Sequence, residues 1–269
     1  MNSPPLSAAL AVAAQAVAAV LAGHTPDAVL GRADPALRPA AFDLALTALR
    51  DCGRGDFLLG CLLEKPLKDK DKAVRALLLV ALARLERDPA DAHTLVDQSV
   101  AATGRHFKGL VNAVLRNFLR RRAELLVTAD ADPVARWRHP PWWLENLRSA
   151  YPGEWQSVAA AGNSHPPMCL RINLRRTTSA DYGAELAAAG IAACALDDTA
   201  LLLDKPMPVE RLPGFREGRV SVQDWGAQQA ARLLAAQAGM RVLDACAAPG
   251  GKAAHLLELA NLDLTALEL

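Results

Sequence analysis

Aromatic side chains are scarce: five Phe, five Trp and two Tyr among 269 residues. The interior must therefore be filled by Ala, Leu and Val, a composition that favours closely packed helices. Surplus charge is lacking too, since 30 Lys and Arg against 29 Asp and Glu leave a formal +1. The chain is no polycation, so any nucleic-acid affinity must come from a local patch. Five cysteines without a C-x-x-C pair argue against a disulfide framework or a zinc site and fit a reducing, cytoplasmic location. The histidines (His24, His93, His106, His139, His165, His255) show no ligand spacing, so no metal is expected. Long apolar runs are missing as well. The best, Ala8 to Gly23, is mostly alanine, is broken by Gln15, and follows a Met1–Ser7 segment without Lys or Arg. Neither a membrane span nor a secretory leader is expected from it. At 52% hydrophobic and 22% charged, the chain also lacks the signature of disorder.

What is present first is helix. Residues 1–150 read as an all-α domain. One helix runs from Ser7, in the capping position, to Gly23, and others span Pro39–Arg50, Asp56–Leu63 and His93–Thr103. Ala73–Arg87 is apolar almost all round and should be the buried central helix. The clearest periodicity is Phe107, Leu110, Val111, Val114, Leu115, Phe118 and Leu119, the stripe of an amphipathic helix. Opposite it stand Lys108, Asn112, Arg116 and Arg120 at i+4 spacing. From Gln98 to Ala123 there is no acidic residue, while Arg105, Arg121 and Arg122 add charge. The face reads either as a ridge for RNA phosphates or as a solvated helix end whose cations suit the dipole.

After Pro140, Pro141 and Pro152 the pattern changes. Residues 151–220 read as a small α/β linker domain, with a β-like Met168–Leu174, a helix Asp181–Ala189, an apolar run Ala200–Leu203 and a loop-rich Pro206–Gly218. Arg171, Arg175 and Arg176 form a second basic cluster, and Trp137, Trp142 and Trp143 read as packing anchors between domains. Residues 221–269 read as a helix (Gln228–Ala236), a strand (Met240–Ala245), a helix (Ala253–Ala260) and a strand (Leu264–Leu269). That order is the first βαβ unit of a Rossmann-like, doubly wound sheet. Two strands do not complete such a sheet, so the sequence is expected to stop mid-domain.

Between that strand and helix lies Asp244-Ala-Cys-Ala-Ala-Pro-Gly-Gly-Lys252. A P-loop would need Gly where Cys246 stands and Ser or Thr where Ala253 stands. The dinucleotide fingerprint needs three spaced glycines, and only the adjacent Gly250 and Gly251 occur. What remains is a loop whose Pro249 and glycines let backbone approach a ligand, followed by the acidic Glu268 at the next strand end. A carboxylate there can accept both hydroxyls of an adenosine ribose. Adenosine without pyrophosphate points to S-adenosyl-L-methionine, while an ordinary βα turn with packing glycines is the competing reading. Cys246 itself reads as a small buried thiol rather than a nucleophile.

VLDACAAPGGK (Val242–Lys252) resembles the cofactor motif of the Sun family of RNA cytosine-C5 methyltransferases. The likeness extends through SVQDWGAQ (Ser221–Gln228), PPMCLRIN (Pro166–Asn173), RHPPWW (Arg138–Trp143) and GLVNAVLRNFLR (Gly109–Arg120). The resemblance implies a front domain similar to the antitermination factor NusB that contacts 16S-type, small-subunit ribosomal RNA. It also implies S-adenosyl-L-methionine held by Cys246, Ala247, Ala248, Pro249, Gly250, Gly251, Lys252 and Glu268, the last where the family usually has Asp. The family nucleophile is a cysteine in a Pro-Cys motif, partnered by a Thr-Cys cysteine, and this chain has neither dipeptide. Both are expected beyond Leu269. C5 of cytosine becomes nucleophilic only after a thiolate adds to C6, so the 269 residues are expected to be inactive alone. A NusB-like RNA- or protein-binding module without catalysis is the alternative.

Overall fold

In the computed structural model, which describes residues 5–268, the first helix α1 spans Leu6–Leu21. Ser7 is not its cap but lies inside the first turn, and its N–H donates to Gln98 Oε1 at 3.0 Å. A distant side chain thus meets one of the free donors of the helix start. There follow α2 (Asp27–Leu30), α3 (Arg38–Arg50), α4 (Cys52–Leu62), α5 (Lys72–Arg87), α6 (Ala92–Ala102) and α7 (Lys108–Ala131). Helix α1 packs on α3, α5 and α6. Alanine is frequent among the buried residues of these helices: Ala9, Ala13 and Ala16 on α1, Ala41 and Ala45 on α3, and Ala76 and Ala81 on α5, beside Leu10 and Val17 of α1 and Leu44 of α3. Helix α5 is buried almost all round, as its sequence requires. The stripe on α7 faces the core through Val111, Val114, Leu115 and Phe118.

Helix α4 begins four residues before the expected Asp56, because Gly53 and Gly55 mark close approaches rather than a stop. A Cβ on Gly55 would lie 2.7 Å from Leu79 Cδ2 of α5, itself buried. Gly55→Val should therefore cost about 1–3 kcal/mol through overpacking, seen as a lower melting temperature of the chain. Beside it Arg54, 4% exposed, pairs with Glu86 of α5 at 2.7 Å and Asp130 of α7 at 2.8 Å, so its buried charge is compensated.

The prolines open helices instead of closing the domain. Pro133 and Pro141 occupy the first turns of α8 (Pro133–Trp137) and α9 (Pro141–Ala150), where the missing N–H costs nothing. Helix α10 (Trp155–Gly162) follows. Trp155 meets Trp137 edge-on at 5.1 Å, the Arg148 guanidinium lies 4.3 Å above Trp155, and Asn163 Nδ2 donates to the Trp137 carbonyl. These contacts carry the helical unit past the expected boundary at 150, and the chain divides into Met1–Ser164 and His165–Leu269. Trp142 and Trp143 are not buried anchors: they are 63% and 40% exposed.

The second unit opens with β1 (Met168–Ile172), α11 (Ser179–Ala188), β2 (Ala193–Asp197), β3 (Ala200–Leu203) and β4 (Val220–Val222). The four strands make an antiparallel sheet in the order β2-β3-β1-β4. Its core is Leu170, Ile172, Tyr182, Leu186, Leu201 and Val220. The expected boundary at 220 runs through β4, whose Val220, Ser221 and Val222 pair with Ile172, Arg171 and Leu170. Helix α12 (Trp225–Leu234) is capped by Asp224, which accepts from the Gly226 N–H at 2.9 Å. Then β5 (Arg241–Asp244), α13 (Gly251–Leu259) and β6 (Asp263–Ala266) form the βαβ unit, with β5 and β6 parallel.

Candidate cofactor loop and basic helix face

Strand β5 ends at Asp244, and the chain then loops through residues 245–250 into α13. Backbone bonds tie the loop to the segment after β6: Leu267 N–H donates to Asp244 O at 2.8 Å, and Ala247 N–H donates to Leu267 O at 3.1 Å. Ala248 N–H donates to Glu268 Oε2 at 2.7 Å. The expected cofactor residues Cys246–Lys252 and Glu268 are thus brought together, although 20 residues separate Ala248 from Glu268. Cys246, read as a buried thiol, is exposed. Gly250 has φ +96°, and a Cβ built on it would meet nothing within 4 Å. That combination is a cradle open to a close ligand.

One polar atom that sequence reasoning missed adds to the fit. Asp244 Oδ2 is buried without a partner among the described residues, while Oδ1 accepts from the Cys246 N–H at 3.3 Å. A buried acceptor left unpaired costs free energy unless a ligand donor meets it. The site therefore offers a glycine turn at a helix start and an unpaired carboxylate oxygen at a strand end. That chemistry fits the hydroxyl- and amine-bearing adenosyl ligand expected here.

Of the second basic cluster, the structure leaves little free. Arg171 is buried, with its guanidinium committed to Glu258, Gln223 and Gly251. Arg175 Nε donates to Glu258 O and Arg176 Nη1 to Glu217 O. For Arg171 the reason is topological: β1 is an inner strand, so its residues face covered layers, whereas Arg175 and Arg176 follow the strand and are exposed. His255 of α13 is buried too, and burial, then Arg171 and Arg232, push its pKa down to about 4 against an upward pull from Asp197. A folded pKa below the ordinary 6.5 means the unfolded chain binds more protons in that interval. Stability from this group is thus complete above pH 6.5 and is lost as pH falls towards 4. Thermal unfolding of the chain between pH 7 and 4 should show it, and His255→Gln should flatten the slope.

On α7, Lys108, Arg116 and Arg120 are exposed. Arg116 Nε donates to Asn112 Oδ1 at 2.9 Å and Arg120 Nη2 to Asn117 Oδ1 at 3.0 Å, and among the described residues none of the three pairs with a carboxylate. Arg121 and Arg122 leave the ridge, the first for Glu124 and the second for the Glu86 carbonyl. Among the described residues no helix is long and apolar enough to cross a membrane, and no group of three or more His, Cys, Asp or Glu could hold a metal ion.

Two family models match the chain: the NusB family over residues 8–120, and the RsmF/B-like methyltransferase ferredoxin-like domain over residues 139–210. A Pseudomonas putida protein named ribosomal RNA small subunit methyltransferase B is 43% identical, over 95% of this chain and 62% of its own length. The chain is similar to the proteins named ribosomal RNA small subunit methyltransferase B over most of its own length. The Vibrio cholerae protein of that name is 41% identical over 88% of this chain and 57% of its own length. The chain thus spans 62% and 57% of the length of these two relatives. Its fold is similar to the crystal structure of PH0851, at 17% identity and a TM-score of 0.65, covering 99% of this chain and 64% of that one.

Proposed function

We propose that the chain binds small-subunit, 16S-type ribosomal RNA through its helical unit and S-adenosyl-L-methionine through Cys246–Lys252 and Glu268. The two serve methylation of cytosine C5 in a reducing, cytoplasmic setting. The observation that carries the reading is the bond from Ala248 N–H to Glu268 Oε2, which closes a glycine loop over the ends of two parallel strands. Ligands of open α/β sheets bind beyond such carboxyl ends. The division of labour follows the segments expected from sequence: RNA contacts in 1–150, a linker in 151–220, cofactor contacts in 221–269. The bound cofactor supplies the methyl group. The glycine turn and the unpaired Asp244 oxygen orient it, while the thiol that activates the base is not among these residues.

The test is calorimetric titration of the whole chain with S-adenosylhomocysteine, and with ATP for comparison. Binding of the first and not the second is expected, weakened because Cys246, Ala248 and Pro249 lie exposed on one side. A dissociation constant weaker than ~1 mM, under about 4 kcal/mol of binding, would remove the cofactor reading. RNA binding without S-adenosylhomocysteine binding would leave a non-catalytic binding module.

A further inference from the structure

Arg171 is among the largest fully buried side chains of the chain, at 1% exposed. Its surroundings account for every donor it has. Nε donates to Glu258 Oε2 at 2.9 Å and Nη2 to Glu258 Oε1 at 2.7 Å. Nη1 donates to the Gly251 carbonyl and to Gln223 Oε1, each at 2.7 Å, and the second Nη2 proton goes to Ser221 Oγ at 3.3 Å. A guanidinium carries five N–H donors in a rigid plane, and here all five are used. The partners belong to different pieces of the unit. Ser221 is on β4, Gln223 follows it, and Glu258 and Gly251 lie near the two ends of α13.

Pairing Glu258 would need only two of those donors, and a lysine could neutralise the same charge. The remaining geometry is specific to Gly251, which directly follows the left-handed Gly250 and is the first residue of α13. We propose that Arg171 is a positioning residue for the cofactor loop. By holding the Gly251 carbonyl from an inner strand of the antiparallel sheet, it fixes the Gly250–Gly251 turn at the start of α13. The four-stranded sheet is then a brace for the loop as well as a linker. This rests on the reading of Cys246–Lys252 as the cofactor loop. The planar fork is the reason for arginine: it can meet a carboxylate bidentately and still direct a third donor sideways onto a carbonyl.

The test is backbone amide hydrogen exchange by NMR on the whole chain without ligand, comparing the parent with Arg171→Lys, Gln223→Ala and Ser221→Ala. The loop reporters are the N–H groups of Ala247, Gly250 and Ala254, bonded to Leu267 O, Ala247 O and Gly250 O. The reporters for the rest of the unit are Ile172 and Tyr182, bonded to Thr199 O and Thr178 O. In Arg171→Lys the loop reporters should exchange about tenfold faster, while Ile172 and Tyr182 change by less than about twofold. Gln223→Ala should move the loop alone by a smaller factor, and Ser221→Ala, which removes only the longest contact, should move neither set. Unchanged loop exchange in Arg171→Lys, or equal acceleration of both sets, would overturn the proposal. If Arg171→Lys does not fold, Gln223→Ala decides by the same two criteria. Because no ligand is present, a parent chain that fails to bind S-adenosylhomocysteine refutes the cofactor reading without deciding whether Arg171 fixes the loop.

Discussion

Gly250→Val should abolish measurable S-adenosylhomocysteine binding, a loss of about 100-fold or more, because two separate costs act together. The residue sits at φ +96°, where a β-branched side chain is strained by about 1–3 kcal/mol. The new side chain would also fill the open space through which a ligand reaches the backbone. Gly251→Val separates these costs. Its φ is not positive, and its Cβ would find only Gln223 Nε2, at 3.8 Å, so the ligand-free loop should keep its exchange protection while binding falls through crowding alone. Calorimetry paired with amide exchange on both variants reads the difference. Unchanged affinity in both would sink the assignment of this loop, since no glycine-dependent approach would then exist.

The second large effect concerns RNA. Replacing Lys108, Arg116 and Arg120 together by Gln should weaken binding to all RNA sequences alike. The slope of log K against log salt should become shallower by about 2–3 units, because each neutralised phosphate releases its counterion. The melting temperature should hardly move. All three side chains are exposed, glutamine keeps the helix propensity, and Val111, Val114, Leu115 and Phe118 stay packed beneath them. Filter binding of a small-subunit ribosomal RNA fragment across a salt series is the measurement. A variant that keeps both its affinity and its slope makes the ridge a solvated face. The fall-back cluster of Arg171, Arg175 and Arg176 is then of little help, since Arg171 is sealed inside the second unit.

Where packing follows directly from period, the sequence was readable. The apolar stripe from Leu110 to Leu119 on α7 and the all-round apolar α5 lie where their spacing put them, because an isolated stripe can be buried only one way. The parallel βαβ unit and the meeting of loop and Glu268 were legible for a similar reason: strand, glycine loop and strand in that order admit few topologies. Proline and glycine misled, since each has two uses. Pro140 and Pro141 lead into α9, and Gly53 and Gly55 let α4 run close to its neighbours. Strands β2 and β4 escaped notice because β2 is mostly exposed and β4 has three residues, too little for an alternating pattern. Arg171 groups in sequence with Arg175 and Arg176 as a basic cluster, because charge alone does not say which layer covers a strand, and only the sheet order places it inside.

The alanine contact between α1, α3 and α5 has a consequence for how this bundle can change. Helices that meet through methyl groups lie near the short end of the usual 8–10 Å spacing, and at the alanine positions no side chain is large enough to leave a void when trimmed. Substitutions at Ala13, Ala16, Ala45 or Ala81 can therefore hardly create cavities. Any larger residue must push two helix axes apart along their whole shared length, so the strain is spread over many contacts instead of one. Tolerance in this interface is one-sided. Homologous sequences should drift there towards Gly and Ser and almost never towards Leu, whereas the leucine positions of α5 can exchange freely with other aliphatic residues of equal volume.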